Sequence, residues 1–191
     1  MSSLVLEPTD VAQWRALVHE AEAACEHHLD ESLESYLVFL LMRFAGQPEM
    51  AARIMALEYL EAQAARSGQQ REQLRDVGDQ CLLFSGLFPQ MAERRLVRVS
   101  YFVNLGRSAY DQLAALVDRH SESLYTGLAR AFVGVMDVLQ AMRALGGTPA
   151  LGALQAAELW ADTGSRGAYR TLREHYRLEP FDAGRGGRRR H

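Results

Sequence analysis

The chain has 191 residues, of which 48% are apolar and 24% are charged, and its formal net charge is −3. This composition is ordinary for a globular protein, so it excludes a disordered chain and a coiled-coil rod. No run approaches the ~18 uncharged apolar residues that a transmembrane helix needs, so we expect no membrane span. The length predicts one domain over residues 1–180 that folds without a metal or a disulfide.

Two features of the sequence indicate a cytoplasmic location. The segment Met1–Pro8 has no basic stretch followed by an apolar core, which a secretory signal requires. Cys25 and Cys81 are the two cysteines, and each stands among core-type residues of a helical pattern. We therefore expect two buried free thiols in a reducing compartment.

The permanently cationic residues are all arginine, because the chain contains no lysine. Lysine Schiff bases and phosphate-binding loops that end in Gly-Lys are thereby excluded. Residues 1–164 carry 13 arginines against 21 acids, a net charge of −8, whereas residues 165–191 carry 8 arginines against 3 acids, a net charge of +5. We expect residues 181–191 to form a flexible basic tail. The acidic body disfavours nucleic acid as a partner, and the tail has no aromatic after Phe181 to stack on bases.

Apolar residues recur at steps of three and four along most of the chain, which predicts amphipathic helices. Capping residues, prolines and glycines between these stripes mark where each helix begins and ends. The predicted helices run from Asp10 to about His28, from Asp30 to Gly46, from Pro48 to Gly68, from Leu74 to about Gly86, from Gln90 to about Arg119 (one helix or two), from a Ser121 cap to Gly146, from Pro149 to Gly164, and from Tyr169 to Pro180.

These helices predict an all-α fold, an irregular bundle of about eight mostly antiparallel helices. Connections of a few residues place successive helices side by side in opposite directions. We expect at least ~65% helix and no sheet of three or more strands, because no alternating run is bounded by hairpin residues.

Metal-binding patterns in the sequence are weak. No histidine has a glutamate three residues before it, so the signature of a carboxylate-bridged di-metal bundle is missing. His27, His28 and Glu31 form a weak alternative metal site, together with nearby Cys25 and Glu34. The competing interpretation is a solvated helix end, where histidines offset the negative end of the helix dipole. We expect no cofactor.

Nucleophile motifs are absent as well. The sequence contains no Gly-x-Ser-x-Gly elbow and no Cys-x-x-Cys pair, and no strand precedes a glycine-rich loop. Cys81 belongs to an apolar stripe, which predicts packing rather than reactivity. Familiar enzyme classes are thereby disfavoured.

Two helical segments embed glycine and polar side chains among apolar residues. Gly78 precedes Asp79 in the first segment, and the second contains Asn104, Arg107 and Tyr110. Such a pattern is typical either of a buried ion pair that fixes packing or of a ligand pocket. We expect Asp79 and Arg107 to face each other across adjacent helices. The four polar residues are candidate ligand-binding residues.

The same two segments form a recognisable pattern, Gly78-Asp79-x-x-Leu82-x-Phe84-x-Gly86-x-Phe88-Pro89, followed by Tyr101 and Gly106-Arg-Ser-Ala-Tyr110. This pattern resembles that of a family of bacterial all-helical proteins with no known activity. The likeness covers about a third of the chain, and it implies a shared fold and no particular chemistry.

The absence of a catalytic motif makes a non-enzymatic interaction or regulatory module the leading hypothesis, with a protein partner or a second copy as its target. The alternative hypothesis is a helical bundle that binds a small molecule or a metal, with or without enzymatic activity, at a site around Asp79 and Arg107. Apolar stripes left over after packing are the natural dimer interface. The predicted helix from Asp30 to Gly46 and the one from Ser121 to Leu145 are the candidates for such a stripe.

Overall fold

A computed structural model describes residues 10–45, 67–94, 96–148 and 151–178 of the chain. Every regular element in these ranges is a helix, and about 85% of the described residues are helical. The prediction of an all-α fold is therefore confirmed. Most of the predicted helix from Pro48 to Gly68 and the predicted tail at residues 181–191 lie outside the described residues.

The described part of the chain forms seven helices of at least 11 residues and one short helix. They are α1 (Asp10–Cys25), α2 (Glu31–Ala45), α3 (Ser67–Leu87), α4 (Gln90–Arg94), α5 (Val99–Ala114), α6 (Arg119–Leu145), α7 (Ala153–Thr163) and α8 (Arg166–Leu178). The stretch that was predicted as one helix or two is two, α4 and α5. Leu96 lies between them with a φ of 56°, which no helix accommodates.

Helix α6 lies at the centre of the fold. It packs against α1, α2, α3, α5 and α8, and α3 also packs closely against α5. Its buried side chains include Leu128, Phe132, Val135 and Leu139, none of them more than 1% exposed. The prediction that α6 offers a leftover apolar stripe for a dimer is therefore wrong, because its stripe is used inside the chain.

Helix boundaries follow the capping residues of the sequence, with one correction. Asp30 accepts a hydrogen bond from the backbone N–H of Leu33 at 3.0 Å, which fixes the start of α2 as predicted. At α6 the cap is Asp118 rather than Ser121, since its carboxylate accepts from two first-turn N–H groups. Gly164 ends α7 with a φ of 70°, a left-handed conformation that suits glycine.

Gly106 allows α5 to pack closely against two neighbours. A Cβ at this position would stand 2.5 Å from the ring of Phe132 in α6 and 2.7 Å from the Cβ of Cys81 in α3. Both distances are well below van der Waals contact, so only glycine fits without movement of the core. The atoms that approach Gly106 this closely belong to side chains and not to a neighbouring backbone.

Buried side chains from α1 to α8 form one hydrophobic cluster. Cys25 and Cys81 are both buried and unlinked, as the sequence predicts. Among the helices that the structure describes, none combines the length and the apolar character that crossing a lipid bilayer demands.

Candidate functional site

Asp79 of α3 is a buried carboxylate that joins three helices. Only 1% of the residue is exposed to solvent. Its Oδ1 accepts hydrogen bonds from the hydroxyl of Tyr36 in α2 at 2.6 Å and from that of Tyr110 in α5 at 2.7 Å. Its Oδ2 accepts a hydrogen bond from Nη2 of Arg43 in α2. The carboxylate thereby links α2, α3 and α5.

The residue before Asp79 makes room for one of these donors. Gly78 lies against the ring of Tyr110, and a Cβ there would stand 2.5 Å from Cε1 of that ring. Because the ring rests on the bare helix backbone, its hydroxyl reaches the carboxylate one residue further along. The Gly-Asp pair in the sequence is therefore a single structural unit.

Burial sets the protonation of this cluster. Burial raises the pKa of Asp79, while the charge of Arg43 and the two tyrosine hydroxyls lower it in part. Burial, followed by the negative charge of Asp79, raises the pKa values of Tyr36 and Tyr110 well above their usual range. Both tyrosines therefore stay protonated at neutral pH and act as hydrogen-bond donors.

Arg43 is the cation of this cluster. Burial acts to lower its pKa, but the charges of Asp79 and Asp76 offset this effect and leave the pKa raised. The Nη2 of Arg43 lies 3.5 Å from Oδ1 of Asp76, so the guanidinium bridges two acids of α3. Its side chain is 29% exposed, which places this end of the cluster at the protein surface.

The two tyrosines that bind the carboxylate also pack against a third tyrosine ring. The ring centroids of Tyr36 and Tyr110 are 6.4 Å apart, and each lies 6.2 Å from the centroid of Tyr125 in α6. Edge and offset contacts of this kind favour aromatic packing by about 0.5 to 1.5 kcal/mol each. These contacts stabilise the packing of α2, α5 and α6 beside Asp79.

Asn104 and Arg107 do not belong to this cluster. Both are exposed on α5, and Nε of Arg107 donates to the backbone carbonyl of Ala129 at 3.2 Å. The prediction that Asp79 and Arg107 face each other is therefore wrong, since the cation at Asp79 is Arg43. The cause is helical register, because Tyr110 lies on the buried face of α5 and Arg107 on its solvent face.

In the described residues, one cavity lies beneath α8 and another beside the start of α5, and none of the four candidate residues lines either of them. Both oxygens of Asp79 already accept hydrogen bonds from the surrounding side chains. This arrangement fixes the packing of three helices and offers no free group for acid-base chemistry.

Sequence reasoning missed Tyr36 and Arg43, although a signal for them exists. The two residues are seven positions apart, which is two helical turns, so they lie on one face of α2. The same spacing that identified the apolar stripe of α2 therefore also places a hydroxyl and a cation together. Nothing in the sequence shows that Asp79, 36 residues beyond Arg43, is their common partner.

His27, His28 and Glu31 are not brought together as metal ligands. The ring of His27 lies against Gly134 of α6, and α1 ends before it, at Cys25. In the described residues, the side chains that do converge within 4.8 Å are those of His19, Glu22 and Glu34. The weak metal alternative at His27 is therefore wrong in its ligand set.

The converging group is itself committed to other contacts. Oε1 of Glu34 lies 3.1 Å from Nε of Arg15 and 3.1 Å from Nε2 of His19. Oε1 of Glu22 accepts a hydrogen bond from the backbone N–H of Leu29 at 2.6 Å. These contacts tie α1 to α2 and leave little carboxylate charge for a cation.

A second buried carboxylate, Asp137 of α6, caps helix α8. It accepts a hydrogen bond from the Ser165 hydroxyl at 2.6 Å and one from the backbone N–H of Gly167 at 3.1 Å. The same hydroxyl accepts from the N–H of Ala168 at 2.9 Å. Burial raises the pKa of Asp137, and the hydrogen bonds from Ser165 and Gly167 partly offset the rise. The first turn of α8 is thus satisfied by a side chain from another helix.

Helix α8 has a solvent face of alternating cations and aromatic rings. Arg166, Tyr169, Arg173 and Tyr176 follow one another at steps of 3, 4 and 3, so they form one stripe, and all four are exposed. The Arg173 guanidinium lies 5.9 Å from the centroid of the Tyr169 ring. Trp160 of α7 extends this surface, with ring centroids 5.2 Å from Tyr169. We call the four α8 residues the α8 stripe.

An acidic surface lies at the connection between α1 and α2. Glu26, Asp30 and Glu31 are all exposed there, and no arginine occurs between Arg15 and Arg43. We call these three acids the acidic corner. The charge asymmetry of the sequence thus has a definite location on the surface of the protein.

Comparison with known proteins gives no match to any family model, to any curated protein or to any solved structure. The function of the chain is therefore argued from its own residues. The described residues offer three features for this purpose, namely the Asp79 cluster, the charged surfaces at α8 and the α1–α2 connection, and a cavity between α5 and α7.

Proposed function

We propose that this protein is a non-enzymatic interaction module that self-associates through the α8 stripe and the acidic corner. The helix that carries the basic stripe contacts, through Arg170, the end of α1 where the acidic corner begins, and this placement is the observation that carries the proposal. The partner is a second copy of the chain, because every copy presents both surfaces.

The two surfaces are adjacent because α8 is fastened to the end of α1. Arg170 donates hydrogen bonds from its guanidinium to the carbonyl of Ala24 at 2.8 Å and to that of Cys25 at 2.7 Å. These are the last carbonyls of α1, and Glu26 follows directly in the chain. A cation is favourable at this negative end of a helix dipole, which stabilises the docking of α8.

Adjacent complementary surfaces suit a two-fold dimer. Rotation about an axis between them places the stripe of each copy on the acidic corner of the other, so both contacts form at once. Tyrosine, tryptophan and arginine are the residues most enriched in protein interfaces, since each combines a large contact area with polar groups. Tyr176 is 74% exposed and Trp160 is 44% exposed, so both are available for such a contact.

The Asp79 cluster supports a binding role rather than catalysis. Its carboxylate, hydroxyls and guanidinium are directed at one another and brace α2, α3 and α5. A braced bundle of this kind holds surface residues in fixed positions, which reduces the entropy lost on association.

Light scattering across a concentration series tests the proposal. At low ionic strength we expect the mass to approach twice the chain mass of 21.4 kDa. At about 1 M salt, where the Debye length falls to about 3 Å, we expect dissociation toward the monomer. A monomer at every concentration and at low salt contradicts the proposal.

Charge-reversal variants locate the interface. Arg166→Glu combined with Arg173→Glu should abolish the dimer, whereas Arg119→Glu combined with Arg130→Glu, the same charge change on exposed residues of α6, should preserve it. Adding Glu26→Arg to the stripe variant, together with Glu31→Arg, should restore association. A dimer that survives reversal of the stripe contradicts this interface. If the chain binds single-stranded RNA and the same reversal removes that binding, the stripe is a nucleic-acid surface and the proposal is likewise contradicted.

A further inference from the structure

A cavity of about 400 Å³ lies between the first turns of α5 and α7. We propose that it is the docking site of the chain's own segment 179–182, which follows α8, with the ring of Phe181 as the anchor. The inference goes beyond the proposed self-association, because no residue of the α8 stripe or of the acidic corner lines this cavity.

The end of α8 lies beside the cavity. Helices α7 and α8 pack against each other and are joined by Gly164 and Ser165 alone, so the last turns of α8 lie along the first turns of α7. Nε2 of His175 in α8 lies 3.0 Å from the carbonyl oxygen of Leu151. The next residue, Gly152, lines the cavity. The chain therefore leaves α8 close to the cavity.

The segment is long enough to enter the cavity. Helix α8 ends at Leu178, less than one turn beyond His175. Phe181 follows three residues later, and three extended residues span up to about 10 Å. Because the segment belongs to the same chain, its effective concentration at the cavity is high, and a separate partner would have to exceed it.

The apolar part of the cavity suits a single aromatic ring. Leu154 at the cavity is 74% exposed, and Leu96, which precedes Val97 of the lining, is 94% exposed. Phe181 is the only large apolar side chain in residues 179–191. Covering the exposed leucines with this ring gains about 25 cal/mol for each Å² of apolar surface removed from water. The apolar lining residues are Val97, Val99, Ala153, Leu154 and Leu159.

The acids beside Phe181 match the polar part of the cavity. First-turn residues of α5 and α7 line it, and neither helix has a side chain that caps its first N–H groups. Such helix ends favour a carboxylate, and Glu179 and Asp182 flank Phe181 in the sequence. Arg98 and Glu158 of the lining lie 3.5 Å apart and balance each other, so the anchor is the ring rather than an ion pair.

NMR spectroscopy of the full chain tests the proposal. We expect nuclear Overhauser contacts between the ring protons of Phe181 and the methyl groups of Val97 and Leu154. The backbone order parameter at Phe181 should be near about 0.85, whereas a segment that stays free in solution would give less than about 0.6. In an equal mixture of isotope-labelled and unlabelled chains, no such contact should join the two pools, because the segment docks within its own chain.

Two variants and a control locate the docking site. Phe181→Ala removes the ring, and Leu154→Glu places a carboxylate where the apolar contact forms, so each should lower the order parameter of segment 179–182 below about 0.6. Leu17→Glu, the same change at an exposed leucine of α1 that does not line the cavity, should leave it unchanged. Since Leu154 is largely exposed, its variant should fold, and unchanged amide signals from α6 verify this.

The stripe variant Arg166→Glu with Arg173→Glu separates this proposal from the self-association. It should keep the contacts of Phe181 even where the dimer is lost, because neither arginine lines the cavity.

Three results would overturn the proposal. An order parameter below about 0.6 at Phe181 in the unmodified chain would show that the segment does not dock. Contacts between labelled and unlabelled chains would show that the cavity takes the segment of a second copy instead. Contacts that survive Leu154→Glu would place the docking site elsewhere on the protein.

Discussion

Replacing Asp79 by alanine is expected to lower the free energy of unfolding by about 3 to 5 kcal/mol, because the change leaves buried donors without an acceptor. The hydroxyls of Tyr36 and Tyr110 both donate to Oδ1 of Asp79 and lose that partner. A buried donor that is left unsatisfied costs about 1 to 3 kcal/mol.

The position of Arg43 sets where in this range the loss falls. Its side chain is 29% exposed and also lies 3.5 Å from Asp76, so the guanidinium retains water and a second acid after the substitution. Tyr110 is fully buried, so its hydroxyl dominates the loss, whereas the half-buried Tyr36 is better placed to find another partner. We therefore expect a value toward the lower end of the range.

Double-mutant cycles measured by urea unfolding test the pairing directly. Asp79→Ala and Arg43→Ala should be coupled by about 1 kcal/mol or more, since their side chains are in contact. Asp79→Ala and Arg107→Ala should be additive within about 0.5 kcal/mol, because Arg107 donates to the carbonyl of Ala129 instead. Coupling to Arg107 together with additivity at Arg43 would refute this account of the cluster.

Two further predictions concern glycines and pH. Gly106→Ala places a Cβ 2.5 Å from the ring of Phe132 and should lower the free energy of unfolding by about 1 to 3 kcal/mol. At Gly127 the nearest atom to an added Cβ is 3.6 Å away, so Gly127→Ala should raise the free energy of unfolding by up to about 1 kcal/mol in the same urea assay. Burial raises the pKa of folded Asp137, so between pH ~4 and that raised pKa the folded chain holds a proton that the unfolded chain has lost. The free energy of unfolding should therefore fall as pH rises through this window. Asp137→Asn should flatten that part of the curve of stability against pH. An unchanged curve in the variant contradicts the assignment.

The sequence predicts the helices well because helical periodicity is a local property. Steps of three and four place apolar residues on one face whatever the neighbours are, and glycine at Gly164 or a carboxylate at Asp30 ends or starts a helix through contacts a few residues away. The cap of α6 was misplaced from Asp118 to Ser121 within the same local pattern. Such errors shift a boundary by a few residues and leave the fold class intact.

The candidate site was only half predictable because its partners are distant in sequence. Asp79 and Tyr110 stood out as polar residues in apolar helices, and the structure brings them together at 2.7 Å. The cation was assigned to Arg107 because it lies near Tyr110 in the chain, but the register of α5 turns it to solvent. Arg43 reaches Asp79 only through the packing of α2 on the bundle, which periodicity does not specify.

The role of α8 depends on a distinction that its sequence alone does not make. Arg166, Arg170 and Arg173 look alike as basic residues of one helix, and at 3.6 residues per turn they lie within about 60° of one another around its axis. The half-buried Arg170 donates to the last carbonyls of α1, whereas Arg166 and Arg173 are exposed. The Arg170 contact therefore holds α8, with its exposed stripe, against the end of α1, which Glu26 follows directly. The acid that anchors the first turn of the same helix, Asp137, comes from the central helix of the bundle, so the position of the proposed interface depends on both contacts.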